Sequence, residues 1–437
     1  MKKVIYFLCI AVWISSAACS RQHTGAETIP AITDTRTVSG SPEESEKLLD
    51  AYDNAVAQIQ SDPNLIKPYL TLANVFVMQS RLTGNNSYYD AAALQMCDHV
   101  IDRADGNNDL LFEAYTIESG VFMSMHQFTA ALDVAQKAYA ISQHNAQLLG
   151  ALVDAHVELG QYTEAVKYAD DMVNLRPDIR SYSRISYLRQ IYGDNAGAIE
   201  AMKMAVESGV PGAESTEWAR VTLGDLLLLT GDLQHAEECF TLALNLRENY
   251  PYAEAGLGRL EKAKKNYPAA IEHTENAIRI MSHVSFVEQL ADLYALNGDA
   301  QKAKEIRRDV LSELLKGEKQ QKNMDRIGHN ANRELALAYM QLEKYDQAME
   351  YAQKDLAMRP DNIDANELAA WIAYLQDNIA DAQKYADKML ATNTQNPNTL
   401  YKAMCIYVKA KQTEKIALIQ QQYNTACVDI SLRSSVH

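Results

Sequence analysis

Ten histidines, scattered cysteines and many carboxylates are the side chains through which this chain of 437 residues could do chemistry. The histidines are His23, His99, His126, His144, His156, His235, His273, His283, His329 and His437. No two stand at the i, i+4 spacing of a zinc-binding helix, and no Cys-x-x-Cys occurs, so local spacing supplies no metal motif. A Gly-x-Ser-x-Gly elbow and a phosphate-cradling loop are also missing. Gly256-Leu257-Gly258 lacks the third glycine of a dinucleotide fingerprint and sits in a helical pattern, where glycine serves close packing. His329 beside Arg333 is the one polar cluster, and its reading is a cap on a helix starting near Asn330. Carboxylates lie mostly on helix faces, as solvated charge does. The residues therefore predict no catalytic group, no metal and no cofactor.

One cysteine has a different prospect. Lys2 and Lys3 precede an apolar run from Val4 to Ile14, too short for the about 20 residues that span a bilayer. Ser15, Ser16, Ala17, Ala18 and Cys19 follow. This resembles the lipobox of bacterial lipoproteins, with Ser16 where leucine is usual. The resemblance implies a signal peptide over 1–18, lipidation of Cys19 and export to the cell envelope. An ordinary secretory leader cleaved near Ala18 is the alternative. Ser20 is not the aspartate that retains enterobacterial lipoproteins at the inner membrane, which points to the outer membrane, facing the periplasm.

The formal charge is −16, and removing the leader takes two lysines with it. Such an acidic chain repels nucleic acid and anionic lipid surfaces, so membrane attachment is expected through the lipid, where several acyl chains hold stably. Residues 19–43 are rich in Thr and Ser, with Gly25, Pro30, Gly40 and Pro42. They read as a flexible tether reaching roughly 80 Å when extended. Cys97 and Cys239 read as small core residues. Cys405 and Cys427 flank the last helix pair, where an oxidising compartment would permit a disulfide.

The elements that position everything else follow from a period. Alanines recur at Ala131, Ala165, Ala198, Ala236, Ala270, Ala303, Ala348 and Ala382, mostly 33 or 34 apart. Phe128, Tyr162, Leu233, Tyr267 and Tyr345 stand three before them, and Gly160, Gly193, Gly231 and Gly298 five before. Leu48, Leu49, Tyr52, Ala55 and Ile59 mark a starter helix, ended by Asp62-Pro63. Ten helix pairs then follow: 66–105, 112–145, 146–178, 179–212, 217–250, 251–283, 284–316, 329–362, 363–396 and 397–430. Gly224 and Ala236 let helices approach closely, while Leu227 and Phe240 fill the space between repeats.

This pattern resembles the tetratricopeptide repeat over roughly 44–430. Gly224 and Ala236 match its small positions, Leu223, Leu227, Phe240 and Ala243 its apolar positions, and Pro177 and Pro360 its terminal proline. The resemblance implies an all-α fold, a right-handed α-solenoid of stacked helix-turn-helix units. Two intervals are long. One holds Gly209-Val210-Pro211-Gly212. The other follows Ala303, where Val310, Leu311, Leu314 and Leu315 prolong a helix towards Asp325. The latter divides the chain into an array at 44–316, an insert at 317–328, an array at 329–430 and a tail at 431–437. The insert reads either as a packing adjustment or as a functional break. The run from about 176 to 390 also resembles a subgroup of bacterial tetratricopeptide proteins with this long helix and a following Arg-Glu-Leu-Ala segment (Arg333–Ala336).

In that family the first helix of each pair lines a concave groove, and its second and ninth positions face inward. The resemblance thus places Trp218 and Tyr252 at second positions and Tyr187, Asp225 and Arg259 at ninth positions. Tyr187, Trp218 and Tyr252 form a candidate aromatic strip for a protein or peptide partner, with Asp225 and Arg259 making polar contacts. Packing on neighbouring repeats is the other reading of the same aromatics. The Lys-and-Asn clamp with which some members hold a C-terminal carboxylate is absent. The expectation is a non-enzymatic, lipid-anchored scaffold in the bacterial envelope, serving assembly or secretion. The alternatives are a polysaccharide-associated or polysaccharide-active envelope protein, and a spacer binding through its convex face.

Overall fold

The computed structural model describes residues 29–33, 42–321 and 328–426. The signal segment, Cys19, Cys427 and the 431–437 tail lie outside the described residues. Among the described residues there are twenty-one helices and no strand. A single helix, α1 (Pro42–Ser61), precedes the pairs. Within each pair, A denotes the first helix and B the second. The pairs begin with α2 (Lys67–Thr83) and α3 (Asn86–Arg103), α4 (Asn108–Ser124) and α5 (Phe128–Ile141), and α6 (Ala146–Glu158) and α7 (Tyr162–Leu175). They continue with α8 (Ile179–Ile191) and α9 (Asn195–Glu207), α10 (Glu214–Leu229) and α11 (Leu233–Leu246), and α12 (Pro251–Ala263) and α13 (Tyr267–Ile280). The last four are α14 (Val284–Leu296) and α15 (Ala300–Gln321), α16 (Asn332–Gln341) and α17 (Tyr345–Met358), α18 (Ile363–Leu375) and α19 (Ile379–Met389), and α20 (Pro397–Lys409) and α21 (Thr413–Ala426).

Local chemistry starts these helices. Asn107, Asn145, Asp178, Asp232 and Asn362 each accept backbone N–H bonds of the helix that follows, satisfying donors that have no partner inside the helix. The recurring alanines are all at most 1% exposed. Their role has a second half that the period does not show. Ser119 donates to the carbonyl of Ala131 (2.9 Å) and Ser186 to that of Ala198 (2.7 Å), so a small A-helix residue bonds the B helix where it approaches closest. Where that residue is Gly224, the space goes to Phe240. A Cβ on Gly224 would meet the Phe240 ring at 2.6 Å, and one on Gly256 would meet it at 2.5 Å. Phe240, wholly buried, is thereby gripped between two successive A helices.

The array coils back on itself. Arg247 bonds Glu44 across 203 residues, Asn330 bonds the His126 carbonyl across 204, and Arg359 bonds Glu158 across 201. This offset corresponds to about six repeats of 34 residues. The A-to-B turns of one coil turn sit on the B-to-A loops of the next. Two glycines make the approach possible. Gly160 (φ 76°) and Gly193 (φ 77°) are left-handed, and a Cβ on either would lie 2.4 Å from the Asp361 backbone or 2.5 Å from the Asn393 carbonyl.

Described residues beside both long intervals make packing contacts. The Gly212 N–H donates to the buried Glu217, which also pairs with Arg220 at 2.7 Å, and the Gly212 carbonyl accepts from Arg247. The Gly209–Gly212 turn thus builds the seat on which Arg247 receives Glu44 of α1. α15, which contains Ala303, is 22 residues long, and its Leu311 shares a core with Leu335 and Ala336 of α16. Residues 322–327 of the predicted 317–328 insert lie outside the described residues.

Candidate functional site

The A helices carry a polar ladder. Asp154 of α6 accepts from Arg184 of α8 at 2.8 Å. Asp225 of α10 accepts three bonds from Arg259 of α12, at 2.8 to 2.9 Å. Gln289 of α14 donates to the Ala255 carbonyl, and Asp292 accepts from Arg307 at 2.8 Å. The predicted polar contacts Asp225 and Arg259 are therefore brought together, each holding the other. Burial pushes the Asp225 carboxyl up, and the Arg259 guanidinium counters it.

The three predicted aromatics take up different surroundings. Tyr252 packs between Tyr250 (ring centroids 5.5 Å apart) and Phe286 (5.6 Å, edge-on) and joins a core between repeats. Trp218 of α10 remains 42% exposed. Tyr187 of α8 is also 42% exposed and borders a cavity of about 230 Å³. Ile363, Asp364 and Glu367 of α18 form the opposite wall, brought there by the coiling. Burial, followed by the Asp364 and Glu158 carboxylates, raises the Tyr187 hydroxyl well above the ordinary phenol range, so it stays a donor at neutral pH. Two further A-helix carboxylates, Glu118 and Glu288, are shifted in the same direction. Burial raises Glu118 to about 7 with help from Asp98, and Glu288 to about 7 with help from Asp292 and Glu334. One Glu288 oxygen is buried and accepts no hydrogen bond.

The histidine region departs from its sequence reading. α16 begins at Asn332 after Ala331, which brings no side-chain cap, and the Asn330 side chain accepts from the Asn332 N–H at 3.2 Å. His329 does not cap it. His329 instead lies against His126, with ring centroids 4.6 Å apart, and both face Glu334. Burial alone would raise the Glu334 pKa, but bonds from the two imidazoles hold it far below the usual carboxylate range. Burial would likewise lower His126, and Glu334 outweighs it, leaving His126 raised. Sequence spacing missed His126 and Glu334 because they meet His329 only through coiling. The recurring offset near 200 residues is the signal that links them.

Comparison with known proteins agrees with the repeat architecture. Tetratricopeptide-repeat family profiles match residues 122–191, 219–250 and 334–362. The small glutamine-rich tetratricopeptide repeat-containing protein 2 of Saccharomyces cerevisiae is 23% identical over 181 residues, 41% of this chain and 48% of that protein. This chain thus spans about half the length of the curated relative it matches. Among solved structures, the human IFIT1 dimer with m7Gppp-AAAA is 13% identical, covers 88% of this chain and 89% of its own, and has a TM-score of 0.47. The Cut9–Hcn1 hetero-tetramer of the APC/C is 15% identical, covers 85% and 60%, and has a TM-score of 0.45. A tetratricopeptide repeat protein of Parabacteroides merdae is 18% identical, covers 59% and 97%, and has a TM-score of 0.39. Arrays of this family are typically non-catalytic scaffolds that mediate protein–protein interaction. With its helix pairs, its period and its matched segments, the chain carries tetratricopeptide repeats.

Proposed function

We propose that this chain is a scaffold of the bacterial cell envelope, held by lipid on Cys19 at the periplasmic face of the outer membrane, that binds a protein or peptide partner along its A helices. The observation that carries the binding reading is the exposure of Tyr187 and Trp218 on A helices whose neighbouring charged groups are already paired. Aromatic anchors lose little entropy on binding and suit an extended segment. The anchor rests on the lipobox resemblance at Ala17, Ala18 and Cys19.

A second reading has its own observation. Leu175 of α7, Met204 of α9, and Leu242 and Leu246 of α11 are 40–45% exposed on three successive B helices. They favour docking through the outer, convex face. One experiment separates the two. A photo-cross-linking residue is placed at 218 or at 242 in cells producing the chain. A partner adduct at 218, lost with Tyr187→Ala, supports the inner surface. An adduct confined to 242 replaces it with the outer one. Metabolic acyl labelling tests the anchor, and equal label in the unaltered chain and Cys19→Ala would remove it.

A further inference from the structure

The seam between coil turns carries a side-chain cluster that neither the repeat nor the partner surface uses. Among the described A-to-B turns that meet the next coil turn, those at Gly84, Gly160 and Gly193 place glycine at the left-handed position. The turn at His126 (φ 56°) places an imidazole there instead. Its Nδ1 lies 3.1 Å from Glu334 Oε1, and His329 Nε2 lies 3.7 Å from the same oxygen. Donor atoms of all three residues fall within 4.8 Å of one another. The second carboxylate oxygen, Glu334 Oε2, is buried and accepts no hydrogen bond.

We propose that His126, His329 and Glu334 form a zinc site that clasps the second coil turn to the first. Two imidazoles and one carboxylate are the donor set zinc accepts, with metal–ligand bonds of about 2.0–2.2 Å. Tetrahedral ligands at those lengths stand roughly 3.4 Å apart. The two separations from Glu334, 3.1 and 3.7 Å, bracket that value, and the two imidazole donors lie within 4.8 Å of each other, so side-chain rotations admit the ion. Magnesium and calcium demand shells of six or more oxygens, which a single carboxylate does not provide. The side chains are 36%, 33% and 14% exposed, which leaves water for a fourth ligand.

The backbone around the cluster is held from both coil turns. The Asn330 N–H donates to the Met125 carbonyl at 2.8 Å, and its side chain donates to the His126 carbonyl at 3.2 Å. Gln127 donates to the Gly328 carbonyl at 2.6 Å. These bonds fix the two segments before any ion arrives, which is the preorganisation a metal site needs. An ion here closes a loop of about two hundred residues, the kind of link that restricts the unfolded chain most. A plain His126–Glu334 ion pair, by contrast, has no need of His329.

The test uses the full chain without a histidine tag, stripped with EDTA and titrated with zinc chloride by calorimetry. One zinc per chain at micromolar affinity or tighter is expected. His126→Ala, His329→Ala and Glu334→Gln should each weaken it at least tenfold, and zinc should raise the unfolding temperature of the unaltered chain only. Absence of stoichiometric binding, or equal binding by the variants, would overturn the site. Zinc-edge X-ray absorption on the unaltered chain gives a reading independent of variant folding. A shell with two imidazoles supports the assignment, and a shell of oxygens alone overturns it.

Discussion

Arg359 Nη1 lies 2.6 Å from Glu158 Oε2, although 201 residues separate them, and Asp355 takes the rest of the same guanidinium at 2.8 Å. The Arg359 side chain is 3% exposed and so is that of Asp355. The pair joins the end of α6 to the end of α17, across the seam of the coil.

Removing one partner of a buried pair strands the other charge. Arg359→Met is therefore expected to destabilise the chain by about 3–5 kcal/mol in urea unfolding. Replacing Arg359 and Asp355 together by apolar residues should cost less, because the buried Asp355 carboxylate goes with its partner and only the more exposed Glu158 loses a contact. Equal losses in the single and double variants would show that the pair is not what holds this corner.

Two glycines separate backbone strain from seam closure. Gly298 is left-handed (φ 93°) with open space around it, whereas Gly160 is left-handed with the Asp361 backbone in the way. Gly298→Ala should cost about 1–2 kcal/mol from conformation alone. Gly160→Ala adds a backbone clash, so the seam must open. Small-angle scattering should find a longer particle for Gly160→Ala and an unchanged one for Gly298→Ala.

Phe240→Ala removes the ring that Gly224 and Gly256 are shaped to accept. Full truncation of a buried phenylalanine costs about 3–5 kcal/mol. In a repeat array the loss falls on nearest-neighbour coupling, so amide exchange should quicken first in α10 to α12. Uniform acceleration along the whole array would contradict that.

Protonation supplies a fourth outcome. Glu118 and Glu288 have folded-state values near 7, above those of the unfolded chain. The folded state therefore holds the extra protons. The associated stability is complete below the ordinary carboxylate range and fades as pH rises through about 7. The urea midpoint should fall between pH 5.5 and pH 8. That fall should shrink in the Glu118→Gln, Glu288→Gln double variant, and an undiminished slope would assign the pH dependence to other groups.

Much of this molecule was legible in one dimension. Alanine spacing identifies the helix pairs, since a close helix crossing at Ala236 tolerates no larger side chain. Gly160 and Gly193 mark turns, since only a residue without Cβ takes a left-handed conformation at no cost. The candidate groove was legible by position only. Trp218 and Tyr252 occupy equivalent places in successive repeats, yet Phe286 covers Tyr252 while Trp218 stays open. The identity of a neighbour across the repeat decides that, and periodicity is blind to it.

The sequence by itself determined the repeat unit, its helical state and its small contact positions, because helix pairing is a local matter of spacing and size. The tertiary structure decided which residues about two hundred positions apart become partners. That depends on how small rotations between successive pairs accumulate around the coil. His126, His329 and Glu334 are ordinary residues along the chain, and the same cumulative rotation that brings Arg359 to Glu158 makes them a cluster.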